Sequence, residues 1–194
     1  LSSEPTRRLF FALWPQELER TALIHAVRKA VRVGGGRPVP EANLHLTLAF
    51  LGAVPAARVP ELSAIARRTA AALPDAAIPL VLTLGGLAHW AQSQVLAVLV
   101  REESSSTPPG NIQALAAMLC NETAAAGFNP DLKPFRAHVT VARKVARAPR
   151  AGVMRPITWS FAAFTLVESR TLSTGPVYSV VESFVLGSAE KVRT

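Results

Sequence analysis

Two copies of one short pattern constrain this chain more than anything else in it. The first is His45-Leu46-Thr47-Leu48-Ala49 and the second His138-Val139-Thr140-Val141-Ala142. Each alternates polar and apolar residues with period two, which predicts a half-buried β-strand. Side chains i and i+2 of a strand share a face. His45 and Thr47 therefore point one way and Leu44, Leu46 and Leu48 the other. His138 and Thr140 are opposed in the same manner to Val139 and Val141. One such strand is a sheet with a wetted face. Two such strands, in a chain with 4 His, arise by chance in on the order of one sequence in a thousand, so the pair points to one shared site.

Composition sets the outer bounds. The chain has 194 residues, 49% of them hydrophobic. That supports a sizeable core and argues against disorder. The repeat recurs about half a chain later, so residues 1–194 are read as a single bilobal domain, each lobe giving one strand to a central groove. The single cysteine, Cys120, excludes an internal disulfide and a cysteine-based zinc site. It falls in an Ala/Leu-rich stretch and is expected to be an inert, buried thiol. The formal net charge of +8, from 21 Lys+Arg against 13 Asp+Glu, favours anionic partners such as nucleic acid or phosphate esters. No run of 18 apolar residues predicts a membrane span, and the first residues do not read as a secretory signal. A cytoplasmic, monomeric protein with no membrane association is expected.

Taken in order, residues 8–14 form an apolar run stopped by Pro15, read as a buried strand. Residues 16–33 follow as an amphipathic helix carrying His25, a surface or core residue. Gly34-Gly35-Gly36 ends that helix. It lacks Gly-Lys-Ser/Thr and follows no strand, so it reads as a cap and linker, not a phosphate cradle. Residues 37–40 are extended, and the first His-Thr strand then runs to Gly52. A second helix spans residues 55–73. Residues 78–87 and 95–101 make a hairpin, with His89 at its tip in the loop 89–94. The polar stretch 102–110 is the expected boundary between halves. A third helix covers 111–126, capped by Gly127. The second His-Thr strand is placed at 137–144, a basic loop at 147–152, and two more strands at 157–168 and 177–186, joined through residues 173–176. Hairpins outnumber crossovers. The fold class is therefore α+β, with mostly antiparallel sheet in two pseudo-symmetric lobes and helices outside.

Two histidines suit one chemistry well. Hydrolysis of a phosphodiester needs a base for the nucleophile and an acid for the leaving oxygen, and imidazole titrates near neutrality. Two imidazoles on opposite sides of a phosphorus can perform both tasks without a metal. The hydroxyls of Thr47 and Thr140 can donate to non-bridging oxygens, where charge accumulates. Arg143, and Lys144 beside it, can add positive charge. Strict alternation, however, puts Arg143 on the face opposite His138; only a bulge, the strand's end or a long reach brings it to the groove. No His-Glu-x-x-His motif, helical His pair or Cys pair is present for a metal site, and no Gly-x-Ser-x-Gly marks a nucleophile elbow.

These motifs resemble the signature of the 2H phosphoesterase superfamily. The flanks extend the likeness: Arg8-Leu9-Phe10-Phe11-Ala12-Leu13-Trp14-Pro15 is similar to its opening strand, and residues 43–52 and 137–143 to its two motif strands. Leu166-Val167-Glu168-Ser169-Arg170 and Gly175-Pro176-Val177-Tyr178 are similar to its closing hairpin. The likeness covers nearly the whole chain and is nearest to bacterial RNA 2′,3′-cyclic phosphodiesterases, also called 2′-5′ RNA ligase-like proteins. It implies a bilobal fold and metal-independent opening of a 2′,3′-cyclic phosphate to a 2′-phosphate, on RNA ends or small cyclic nucleotides, with no cofactor. By the same analogy His45 is the proton donor, His138 the proton acceptor, and Thr47, Thr140 and Arg143 the phosphate-binding residues. The motifs are symmetric and by themselves leave donor and acceptor undistinguished. The chain departs from the family pattern at Ala137, where Pro often stands, and at Pro38, where an aromatic residue often stands. Cleavage or joining of 2′-5′ linked RNA would use the same groove. The other readings are a non-catalytic RNA-end or nucleotide-binding module, and a structural domain whose polar strand faces carry no function.

Overall fold

The structure, a computed structural model, describes residues 4–74, 78–101, 111–149, 154–173 and 175–187. The apolar opening run forms β1 (Thr6–Leu13) and leads into α1 (Glu17–Gly34). The Gln16 N–H donates to the Glu19 carboxylate at 2.8 Å and closes the first turn of that helix. Gly35, at φ 66°, ends it in the left-handed conformation that glycine adopts without strain. Then come β2 (Arg37–Pro38), a 3-10 turn at Glu41–Asn43, and β3 (Leu46–Pro55) with the first motif. His45 immediately precedes β3. A second 3-10 turn, Ala56–Arg58, precedes α2 (Val59–Ala71). The chain continues through β4 (Leu80–Trp90), β5 (Val95–Val100) and α3 (Asn111–Ala125). It closes with β6 (His138–Arg143), β7 (Ile157–Phe161), β8 (Ala163–Leu172) and β9 (Gly175–Val185).

All the strand pairings are antiparallel, in the order β7-β4-β5-β6-β3-β1-β8-β9, with β2 beside β6. The α+β expectation therefore holds, with the two motif strands side by side at the middle. One lobe is β7-β4-β5-β6 and the other β3-β1-β8-β9. Among the described residues β3 and β6 join at one bridging pair, Leu46 with Val139, both fully buried. α1 packs on β6 and β7, while α2 and α3 pack on each other and against β9 and β3. Leu9, Phe11, Leu13, Phe164 and Trp159 fill the space between helices and sheet.

The lobes repeat one another residue by residue. Thr47 faces Ala12 across β3 and β1, and Thr140 faces Ala97 across β6 and β5. In β3, Leu48 has no partner, because Thr47 and Ala49 oppose successive residues of β1. In β6, Val141 is skipped in the same way between Thr140 and Ala142. Each motif therefore carries a β-bulge one residue after its Thr, and a bulge shifts every later side chain to the other face. Val141 and Ala142 are both buried in the core, which accounts for the break in alternation.

Several expected boundaries move. His89 and Trp90 are not at a loop tip; they lie in β4, paired with Leu96 and Val95, because apolar cross-strand partners prolong the hairpin. The expected strand at 157–168 is two strands: β7 closes one lobe beside β4, and β8 enters the other beside β1. The expected boundary at 102–110, residues 150–152 of the basic loop and residue 174 of the closing turn lie outside the described residues. Among the described residues no helix is long and apolar enough to cross a membrane.

Truncating either member of the bridging pair removes buried methyl groups where β3 pairs with β6. Leu46→Ala is expected to cost about 2–5 kcal/mol in a urea titration. A cost below about 1 kcal/mol would mean the pair does not join the lobes.

Candidate active site

The two motif strands open onto one groove of about 420 Å3, lined by His45, Thr47, His138, Thr140 and Arg143. Arg37, Pro38, Lys144 and Tyr178 line it as well. All five residues singled out from sequence are thus brought together.

Each imidazole is oriented by its own backbone. His45 Nδ1–H donates to the Asn43 carbonyl at 2.7 Å, and His138 Nδ1–H to the Arg136 carbonyl at 2.7 Å. A carbonyl can only accept, so the proton of the neutral ring is on Nδ1 and Nε2 keeps its lone pair. His45 Nε2 accepts from the Thr47 hydroxyl at 3.2 Å. The same i−2 carbonyl contact in both motifs is a second expression of the repeat.

The ring environments differ. His45 is stacked on Trp14, with centroids 5.4 Å apart and planes 11° from parallel. Phe10 and Tyr178 approach at 4.9 Å and 5.1 Å. Burial dominates and lowers its pKa to about 4; the Asn43 carbonyl opposes this, and the charges of Arg143 and His138 push it further down. Among the described residues His138 meets one aromatic ring, Trp90, edge-on at 4.6 Å. Its pKa is also lowered, first by burial and then by the charges of Arg136 and Arg143, against the Arg136 carbonyl. Trp14, Trp90 and Tyr178 were not among the site residues singled out from sequence. The signal for Trp14 is that it continues the alternation Phe10, Ala12, Trp14 just past β1, onto the face of His45.

Arg143 reaches the groove by way of the bulge. With Val141 skipped, Arg143 faces Val95 as Thr140 faces Ala97 and His138 faces Leu99, so all three share the β6 face that lines the groove. The equivalent position in β3 is Phe50, opposite Phe10. One lobe thus gives the groove face a cation where the other gives it an aromatic ring. Of the remaining histidines, His25 is exposed, and His89 Nε2–H donates to the Val145 carbonyl at 2.8 Å, holding the chain just after β6. Cys120 is half-buried, and burial raises its thiol pKa. Among the described residues no three His, Cys, Asp or Glu side chains gather as a metal-ligand set.

Two antiparallel lobes, each presenting a His and a Thr to one groove, define a 2H phosphoesterase. The sequence profile of the 2′-5′ RNA ligase superfamily matches residues 14–172, and the chain belongs to that family. It is 34% identical over 183 residues to an RNA 2′,3′-cyclic phosphodiesterase of Thermus thermophilus, covering 92% of this chain and 90% of the relative. It is 36% identical over 173 residues to the Escherichia coli protein of the same name, covering 86% and 89%. Its fold is similar to the crystal structure of E. coli LigT complexed with 3′-AMP, with a TM-score of 0.76, 30% identity, and 95% and 100% of the two chains covered.

The lowered pKa of His45 makes stability depend on pH. Between about pH 6.5 and pH 4 the unfolded chain binds a proton that folded His45 refuses. Stability is therefore lost as pH falls through that window and levels off below it. The contribution of His45 is at most about 3 kcal/mol. Urea titrations at pH 7 and pH 4.5 are expected to show this loss, reduced in His45→Gln. An identical loss in the variant would assign it to other groups.

Proposed function

We propose that the protein is a metal-independent phosphodiesterase that opens RNA 2′,3′-cyclic phosphate ends to 2′-phosphates, with residues 1–194 working as one bilobal unit. The observation that carries this is the pair of Nδ1-protonated imidazoles on one groove, each with Nε2 left for proton transfer. The names of the Thermus and Escherichia relatives support the substrate class.

In this reading the cyclic phosphate sits between the two rings. His138 Nε2 takes a proton from water as its oxygen attacks phosphorus. The bond from phosphorus to O3′ breaks, and His45 Nε2 delivers a proton to O3′, leaving the phosphate on O2′. Thr47 and Thr140 donate hydrogen bonds to the non-bridging oxygens, and Arg143 offsets the charge that builds there. His45 is neutral at pH 7 in the empty groove, so it must gain its proton with the substrate. The phosphate anion supplies the reason: it counters the Arg143 and His138 charges that depress His45 and favours the imidazolium. The superfamily description also supports action on 2′-5′ linked RNA, by the same groove and proton transfers.

An RNA oligomer ending in a 2′,3′-cyclic phosphate, incubated with excess EDTA, is expected to be converted to the 2′-phosphate. His45→Ala and His138→Ala should each lower kcat by about 100-fold or more. Tight binding without turnover would favour a recognition module, and loss of turnover in EDTA would refute the two-histidine mechanism. Both histidines lie below 6.5 in the free protein. The kcat/KM profile is therefore expected to be a bell whose two limbs, properties of the coupled pair, fall below pH 6.5, with the kcat bell displaced upward by the bound anion. A kcat/KM profile still rising at pH 8 would contradict the assignment.

A further inference from the structure

In the sequence Arg37 begins the extended segment 37–40, ahead of the first His-Thr strand. In the structure it lies directly opposite Arg143 in the antiparallel pair of β2 and β6. Directly opposed residues of such a pair share a face, with Cβ atoms roughly 5 Å apart, and like charges there repel. Both arginines are exposed, both line the groove, and among the described residues neither has a carboxylate within ion-pairing distance. The arrangement contrasts with that of Arg7 and Arg170, which share the Glu168 carboxylate at 2.8 Å and 3.3 Å.

The repulsion is built in. A Cβ at Gly36 would stand 2.8 Å from the Arg143 carbonyl oxygen and closer still to Val145, and one at Gly34 would stand 2.8 Å from Val145. The glycines thus let the chain leave α1 and run flat against the end of β6, which sets Arg37 beside Arg143. The Val39 N–H to Val141 carbonyl bond, at 2.9 Å, locks that approach. Lys144, next in the chain, lines the groove too. The groove is also lined by apolar residues, Pro38, Val39, Pro40, Pro176 and Tyr178. Cations and apolar surface together suit a nucleoside that carries more than one phosphate.

We propose that Arg37 is a second phosphate-binding residue, which takes the phosphate on the 5′ side of the terminal nucleoside while Arg143 takes the reacting one. This rests on the phosphodiesterase reading and deepens it. The preferred substrate is the 3′ end of an RNA chain, which carries a phosphate on each side of its last nucleoside, and not a free nucleoside cyclic phosphate. A neighbouring pair of arginines is well suited to two phosphates because the anions remove the repulsion that the empty groove retains.

The test compares adenosine 2′,3′-cyclic phosphate with 5′-phosphoadenosine 2′,3′-cyclic phosphate, in wild type, Arg37→Ala and Arg37→Lys, at fixed ionic strength. The wild-type kcat/KM is expected to favour the 5′-phosphorylated substrate by about 10-fold or more. Arg37→Ala should collapse that ratio toward one, chiefly through KM, and Arg37→Lys should keep part of it. Removing one of two repelling cations should leave the melting temperature equal or higher. An unchanged ratio in Arg37→Ala, or a lowered melting temperature with equal losses on both substrates, would overturn the assignment. If wild type opens neither substrate nor an RNA oligomer, the phosphodiesterase reading itself fails.

Discussion

One cross-strand pair, Leu46 with Val139, joins the two halves of the sheet, and the chemistry of the groove depends on it. Both residues are the apolar partners between a His and a Thr. Their burial on the core face forces His45, Thr47, His138 and Thr140 onto the other face. Because the pairing is antiparallel, the two motifs are related by an approximate two-fold axis through that pair. Burying two apolar side chains in the core thereby places two imidazoles symmetrically about one groove. The hydrophobic effect positions the groups, and the i−2 carbonyls orient them.

The symmetry ends where the motifs need to differ. After the bulge one strand carries Phe50 and the other Arg143. His45 is enclosed by Phe10, Trp14 and Tyr178, whereas His138 has Trp90 and feels the charges of both Arg136 and Arg143. An apolar cage disfavours the charged ring, and an anion in the groove restores it. Two copies of one strand can in this way assume opposite proton-transfer roles, with the surroundings, not the motif residues, making the distinction.

Much of this was legible in the sequence. The His-Thr alternation revealed both strands, and the hairpins revealed the antiparallel class. Arg143 was named, but alternation alone assigned it to the wrong face. The bulge that corrects this follows from two consecutive core residues, Val141 and Ala142, and an apolar pair gives no sign of which member is extra. Arg37 was hidden for a different reason. Its role comes from pairing with a strand more than 100 residues away, and local periodicity carries no information on such pairing. The triglycine before it read correctly as a helix end. Its second task, close approach to β6, shows only in three dimensions. The split of residues 157–168 into β7 and β8 was likewise invisible, because both pieces are apolar and each finds its partner in a different lobe.

The central claim is that the two histidines belong to one anion site with matching tautomers. The most direct measurement is the NMR titration of both imidazole rings, labelled with 15N, in the free protein and with a nucleoside 2′-phosphate bound. Both rings should be Nδ1-protonated when neutral, and both should shift to higher pKa on binding, His45 the more. A ring with the opposite tautomer, or one whose titration ignores the phosphate, would contradict the account.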